Sequence, residues 1–366
     1  MNLVLEILTP MHIGNGDVLS PYSDYIYKDG QIYYINHQKL EDFIFKLDNA
    51  SSLIDKFVDI IKKQASGNQS SKYKLENFFE ANNLDIKEFT DKIVDCNTDI
   101  KNKQILKCIY TGSRPYIPGS TLKGAIRTSL IYGYLKRNSY NLNEIISIWK
   151  QNKYSYIGQD IFGKFSRDIM KFLQVSDTEP FSDTDIEIIE TYRVDIESGK
   201  TKNPVVFECL KRNLSTKFSM TSKGKKNYHH LEDDFDYLYE QNEAVIFDYI
   251  NDFFEDAIKR EISELKSKYK GKGENPFLNI ISFYEQLLNE IMEFKQNKNG
   301  AVLRIGAGKT FFENTINNIF SKNEFEEIKK IKKIKNNNPF PKTRTVVVDC
   351  EIIKNSLGWI KIYKEE

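Results

Sequence analysis

Three glycine-bearing turns place cations and free backbone N–H groups where a polyanion could be held: HIGNG (12–16), PGSTLKGAIR (118–127) and LRIGAGK (303–309). Glycine lets a backbone approach a phosphate closely, and the first turn of a helix offers unpaired N–H groups with a partial positive charge. Lys123, Arg127, Arg304 and Lys309 add full charges. These residue types suit a non-covalent grip on a phosphodiester chain, since contacts to phosphate position a nucleic acid without reading its sequence. The candidate contact residues are His12, Gly14, Gly16, Gly119, Ser120, Thr121, Lys123, Arg127, Arg304, Gly306, Gly308 and Lys309.

The GAGKT string invites a second reading, a nucleotide-binding P-loop acting through Lys309. That motif needs two glycines five positions apart ahead of its Lys-Ser/Thr pair, so that successive N–H groups wrap a terminal phosphate. Counting back five from Gly308 reaches Leu303, inside the apolar run AVLRI, although a strand-like stretch does precede and the helix-like FFENTINNIF does follow. A third reading is endonuclease chemistry. His12 titrates near neutral pH and could act as a general base, but no partnering acid or base stands near it in sequence. The expectation is therefore no catalytic residue. Metal chemistry fares no better: Cys96, Cys108, Cys209 and Cys350 are scattered, and the adjacent His229 and His230 point to opposite faces of a strand. Neither a metal nor another cofactor is expected, and the cysteines read as buried free thiols.

The elements that must position these turns can be read along the chain. Lys and Arg number 53 against 52 acidic residues, so a polyanion site has to be local. Residues 2–8, NLVLEIL, alternate as a half-buried strand, and SDYIYKDGQIYYIN sets Asp29-Gly30 between two aromatic, β-branched runs, the pattern of a two-residue hairpin. From about 38 to 107, KLEDFIFKL, SLIDKFVDIIKK and KEFTDKIVDC repeat at helical spacing and predict a helical insertion. In 114–138 Pro118-Gly119 turn the chain and Ser120 or Thr121 caps a helix whose Leu122, Ile126, Leu130 and Tyr134 share a face, with Lys123 and Arg127 beside them. Strand-like segments follow from KFLQV to TKFSMTS, then long helices from 242 and 278, a basic loop KKIKKIKNNNPFPKTR, and closing strands TVVVDCEII and GWIKIY. Strands at both ends with helices between predict an α+β fold, divided near residue 180 into lobes 1–180 and 181–366. With no basic leader and no long apolar run, the chain is expected to be soluble and cytoplasmic, without a membrane partner.

IPGSTLKGAIRTSL, supported in order by LTPMHIGNG, LQVSDTEP and LRIGAGK, resembles the RAMP superfamily of CRISPR-associated RNA-binding proteins. The large insertion, the SDYIY hairpin and the terminal GWIKIY are most similar to the fifth Csm subunit family of type III-A effector complexes. The resemblance implies a ferredoxin-like or RRM-like core carrying insertions, and a non-catalytic subunit that grips crRNA by its backbone. It implies further a place capping the guide's 3′ end, a part in crRNA maturation and antiviral defence, and as partners crRNA, the adjacent backbone RAMP subunit, other Csm-type subunits and a trimming nuclease. The related filament-forming subunit uses an aspartate after its first glycine turn to cut target RNA. Asp24 stands in the matching region, so a RAMP-type ribonuclease using Asp24 or His12 is the alternative, against Asp24 as a turn-capping residue.

Overall fold

The computed structural model describes the chain except residues 68–73, 97, 101, 152–157, 164–166, 223–232, 239–241, 332, 334–339, 350–351 and 366. Residues 332 and 334–339 of the basic stretch at 329–344, together with His229, His230 and Cys350, thus lie outside the described residues.

The alternation of NLVLEI buries Leu3, Leu5 and Ile7 completely, as the period of a strand requires, and forms β1 (Asn2–Ile7). β1 sits in the middle of a five-stranded sheet. β12 (Ser215–Ser222) and β16 (Trp359–Lys364) flank it antiparallel, β9 (Leu173–Val175) extends the β12 side, and β13 (Gly300–Arg304) extends the β16 side. Three helices pack with this sheet: α4 (Gly119–Arg137), α7 (Glu243–Lys268) and α8 (Leu278–Asn297). The α4–α7 crossing is close enough that a Cβ on Gly133 would lie 1.9 Å from the Tyr249 ring.

The β1–α4–β9 unit has β12 between its two strands, which is the split β-α-β arrangement of a ferredoxin-like half. The neighbour that such a fold places on the other side of the first strand is here β16, drawn from residue 359 onward. The strand that follows α8 directly, β13, lies one place further out.

A second sheet has the order β15 (Ile352–Ser356), β14 (Thr343–Asp349), β10 (Ile186–Asp195), β11 (Thr201–Leu210), β6 (Ile105–Cys108), β2 (Gly14–Leu19), parallel only between β11 and β6. Both sheets take strands from either side of residue 180. A third sheet holds β3 (Tyr25–Lys28), β4 (Gln31–Ile35) and β5 (Thr90–Asp95). The Asp29-Gly30 hairpin forms as expected, with φ of 51° and 75° at the two turn residues.

Beyond that hairpin, α1 (His37–Ile44), α2 (Ala50–Ala65) and α3 (Leu75–Ala81) bury a separate apolar cluster that includes Ile26, Tyr33, Leu40, Phe78 and Phe79. KEFTDKIVDC departs from the all-helical expectation. After one 3₁₀ turn, Ile86–Phe89, it becomes β5, because Thr90, Ile93 and Val94 favour a strand and β4 offers a partner. FFENTINNIF also departs: Asn314, Thr315 and Asn318 each hydrogen-bond a backbone carbonyl four to six residues back, and only a 3₁₀ turn, Ile316–Ile319, forms. Smaller elements are the hairpin β7 (Tyr110–Thr111) and β8 (Arg114–Pro115), with α5 (Leu142–Gln151), α6 (Gly158–Phe162) and α9 (Lys322–Ile331). No helix among the described residues is long and apolar enough to cross a membrane.

Candidate nucleic-acid interface

The start of α4 is held by a carboxylate from elsewhere. Neither Ser120 nor Thr121 caps it; Pro118 is the cap residue, and the Gly119 N–H donates to Asp177 Oδ1 at 2.8 Å. Asp177 belongs to the SDTEP segment, whose Thr178 is tied to Ile117 by two further hydrogen bonds, so two motifs about 60 residues apart form one strap across the helix end. Only glycine fits at 119, where a Cβ would sit 2.3 Å from the Val175 carbonyl. Ser120 is exposed and Thr121 half-buried.

The two cations of α4 differ. Arg127 directs one nitrogen to both oxygens of Asp168, at 2.7 and 2.9 Å, with its guanidinium 5.1 Å from the centre of the Phe162 ring. Its charge is matched within the fold. Lys123 is half-buried, and among the described residues no carboxylate lies within ion-pair distance of it. Burial lowers the Lys123 pKa, Asp168 opposes this, and Arg127 adds to it.

The first and third glycine turns meet. The Ala307 N–H donates to the His12 carbonyl at 2.9 Å, and Gly306, at φ 71°, lies so close that a Cβ there would be 2.2 Å from the same oxygen. The His12 ring is buried, with Nδ1 donating to the Glu208 carbonyl at 2.8 Å and the ring tilted against Phe207. Burial pushes its pKa down against the pull of Glu208, so the ring is a neutral strut. Gly14 packs beside its Nε2, while Gly16, at φ 95°, is exposed.

In the third turn the expected pair of cations separates. Arg304 is a core residue with 1% exposure, bound through one nitrogen to both oxygens of Glu313 at 2.8 Å and through Nε to the Leu357 carbonyl at 2.7 Å. Its reading as an RNA contact is corrected accordingly, because its guanidinium has no outward surface. Lys309 is half-buried without a carboxylate at ion-pair distance among the described residues. Its pKa is lowered by burial, opposed by Glu313 and reinforced by Arg304. Gly308, at φ 87°, turns the chain just ahead of it. No helix begins at Thr310, whose N–H donates to Glu313 instead, so the strand–loop–helix frame of a P-loop is absent here.

Asp24 behaves as a turn residue. Its carboxylate accepts from the Ser20 N–H and the Ser23 hydroxyl, both at 2.7 Å, and lies 3.3 Å from His37 Nε2. Burial works to raise its pKa, yet the bonds from His37, Ser20 and Ser23 outweigh that and hold it below the usual aspartate value. Sequence reasoning missed Asp168, Asp177, Glu208 and Glu313, the carboxylates that arrange the cations and turns. Only Asp177 carried a signal, through its place in SDTEP.

Comparison with known proteins agrees with this geometry. The model for the RAMP superfamily matches residues 4–312. A Methanocaldococcus jannaschii protein named CRISPR system Cms protein Csm5 is 26% identical over 399 residues, covering 99% of this chain and 88% of its own length. A Streptococcus thermophilus protein of the same name is 26% identical over 232 residues, covering 60% and 63%. Among solved structures, a chain in the cryo-EM structure of a Csm–crRNA–target RNA ternary complex of a type III-A CRISPR-Cas system aligns at TM-score 0.74 and 21% identity, covering 99% of this chain and all of that one. The crystal structure of T. onnurineus Csm5 aligns at 0.63 and 18% over 98% of this chain and 99% of that one. With its split β-α-β sheet, its joined glycine turns and a family match over most of its length, the chain belongs to the RAMP superfamily.

Proposed function

We propose that this chain is a non-catalytic crRNA-binding subunit of a type III-A Csm interference complex in the cytoplasm. It caps the guide's 3′ end, takes part in crRNA maturation beside a trimming nuclease, and abuts the neighbouring backbone RAMP subunit. The observation that carries the RNA contact is the contrast among four cations: Arg127 and Arg304 are neutralised by carboxylates, whereas Lys123 and Lys309 sit at glycine-bearing turns with no carboxylate at ion-pair distance among the described residues. The proposed contact set is Ser120, Thr121 and Lys123 at the helix start, with Gly14, Gly16, Gly306, Gly308 and Lys309 at the joined turns; His12 shapes the second group from inside. A half-buried lysine lacking a counter-ion gains most from meeting a phosphate, which restores its charge at low cost.

If phosphates dominate, affinity for single-stranded RNA falls steeply with salt and barely depends on sequence outside any base-specific pocket. Lys123→Glu combined with Lys309→Glu is expected to weaken binding at least tenfold and to flatten the salt slope, read by filter binding from 50 to 300 mM salt on the order of the range used for such slopes. Unchanged affinity in that variant would sink the reading. The ribonuclease alternative gains no support from a buried, neutral His12 or from an Asp24 engaged by three donors.

A further inference from the structure

Beside the His12–Gly16 turn lies an open cleft of about 830 Å³ that the reading above does not use. It runs from Asn15 and Asp17 on β2 to the third sheet and the start of α1. Its aromatic wall is held by one shared carboxylate. Tyr34 and Tyr110 both donate to Glu208 Oε1, at 3.0 and 2.7 Å, and Lys92 Nζ stands over both rings while reaching the same oxygen at 3.3 Å. Ile35, Ile109 and the exposed Val18 supply apolar surface beside them. Around these stand the carboxylates of Asp17, Asp24, Asp91 and Asp183. Against them are Lys92, already paired with Glu208, Lys107, and His37, already paired with Asp24. Asp91 is paired in turn with Lys39; even with His37 protonated, the five carboxylates including Glu208 outnumber the four cations, so the cleft offers a phosphate no net attraction.

What suits such a cleft is flat, uncharged and rich in hydrogen-bond donors. The cleft is lined at one end by Asn15, within the turn assigned above to the RNA backbone, so a base splayed away from phosphates held at Gly14 and Gly16 would lie beside it. Aromatic walls beside single-stranded RNA take unstacked bases, whose polar edges are then read by side chains. Of the common bases, guanine alone carries adjacent N1–H and N2–H donors, which match the two oxygens of a carboxylate. We infer that this cleft receives one unpaired base of the bound RNA, guanine in preference to the others, and excludes the phosphates on either side. The inference rests on the RNA-binding reading for the origin of its ligand.

Free nucleosides test it, since they carry no phosphate and do not depend on the lysine contacts. Guanosine, adenosine, cytidine and uridine are titrated into the full chain and followed by ligand-observed NMR. Saturable guanosine binding is expected about tenfold tighter than uridine, the discrimination one bidentate contact supplies. Both Asp17→Asn/Asp183→Asn, which removes two exposed carboxylates, and Ser113→Trp, which blocks the rim without changing charge, should weaken it about tenfold. Equal weak binding of all four nucleosides, or guanosine binding kept by both variants, overturns the inference. So does binding of hexa-arginine that depends on those aspartates when no nucleoside binds, which assigns the cleft to a basic protein segment. Salt-sensitive RNA binding without nucleoside binding removes this inference alone; nucleoside binding without RNA retention removes the reading on which it rests.

Discussion

Arg304 and Lys309 stand in one short turn, yet the fold treats their charges oppositely. Arg304 and Glu313 form a fully buried pair, so removing one member leaves an uncompensated charge in the core. Arg304→Met is expected to cost about 3–5 kcal/mol in urea unfolding, while Arg304→Met/Glu313→Leu recovers most of it. If the single variant unfolds like the native chain, the pair has no structural role. The half-exposed His37–Asp24 pair acts through pH. Its hydrogen bond to Asp24 raises the His37 pKa despite burial, so that share of stability is full below the ordinary histidine value near 6.5 and is lost as pH rises through the raised one. Asp24, with a lowered pKa, contributes above the ordinary aspartate value near 3.9 and loses its share as pH falls through the lowered one. The native chain should therefore exceed His37→Ala in stability most clearly at pH about 5–6, with a smaller margin at pH 9. A margin independent of pH would rule the linkage out.

Local elements were legible where the signal was local. Asp29-Gly30 announced its hairpin because a two-residue turn demands positive φ at both places, and NLVLEI announced β1 because alternation admits few other structures. The α4 helix followed from the spacing of Leu122, Ile126 and Leu130, all fully buried. Its cap did not, since Asp177 reaches Gly119 from 58 positions away and outcompetes Ser120 and Thr121. KEFTDKIVDC combined a helical repeat of apolar residues with β-branched ones, and the open edge of β4 decided between them. Arg304 looked like a surface cation because its partner sits nine residues on, in a stretch expected to be helical that instead folds back on itself. At the candidate site the glycines and lysines could be found from sequence, but not which cations are neutralised; Asp168 and Glu313 settle that from other segments.

Across the molecule, segments far apart in sequence are interleaved. β16 completes the central sheet between β1 and β13, and Trp359 at its start is fully buried against Phe254 and Tyr284. Deleting residues 358–366 removes an interior strand, leaving edges on both β1 and β13 and exposing that core. The shortened chain is expected to lose the cooperative thermal transition of the intact one by calorimetry. Retention of a sharp transition near the native midpoint would mean that β16 is an accessory.

The position of β16 also sets an order of events during synthesis. β1 gains one of its two neighbours only once residues from 359 onward have been synthesised, which at about 5–20 residues per second is a wait on the order of tens of seconds. Throughout that interval the nascent polypeptide carries an unsatisfied backbone ladder flanked by Leu3, Leu5 and Ile7, a template for pairing with the wrong chain. Covering β1 until β16 has been made would suppress that mispairing.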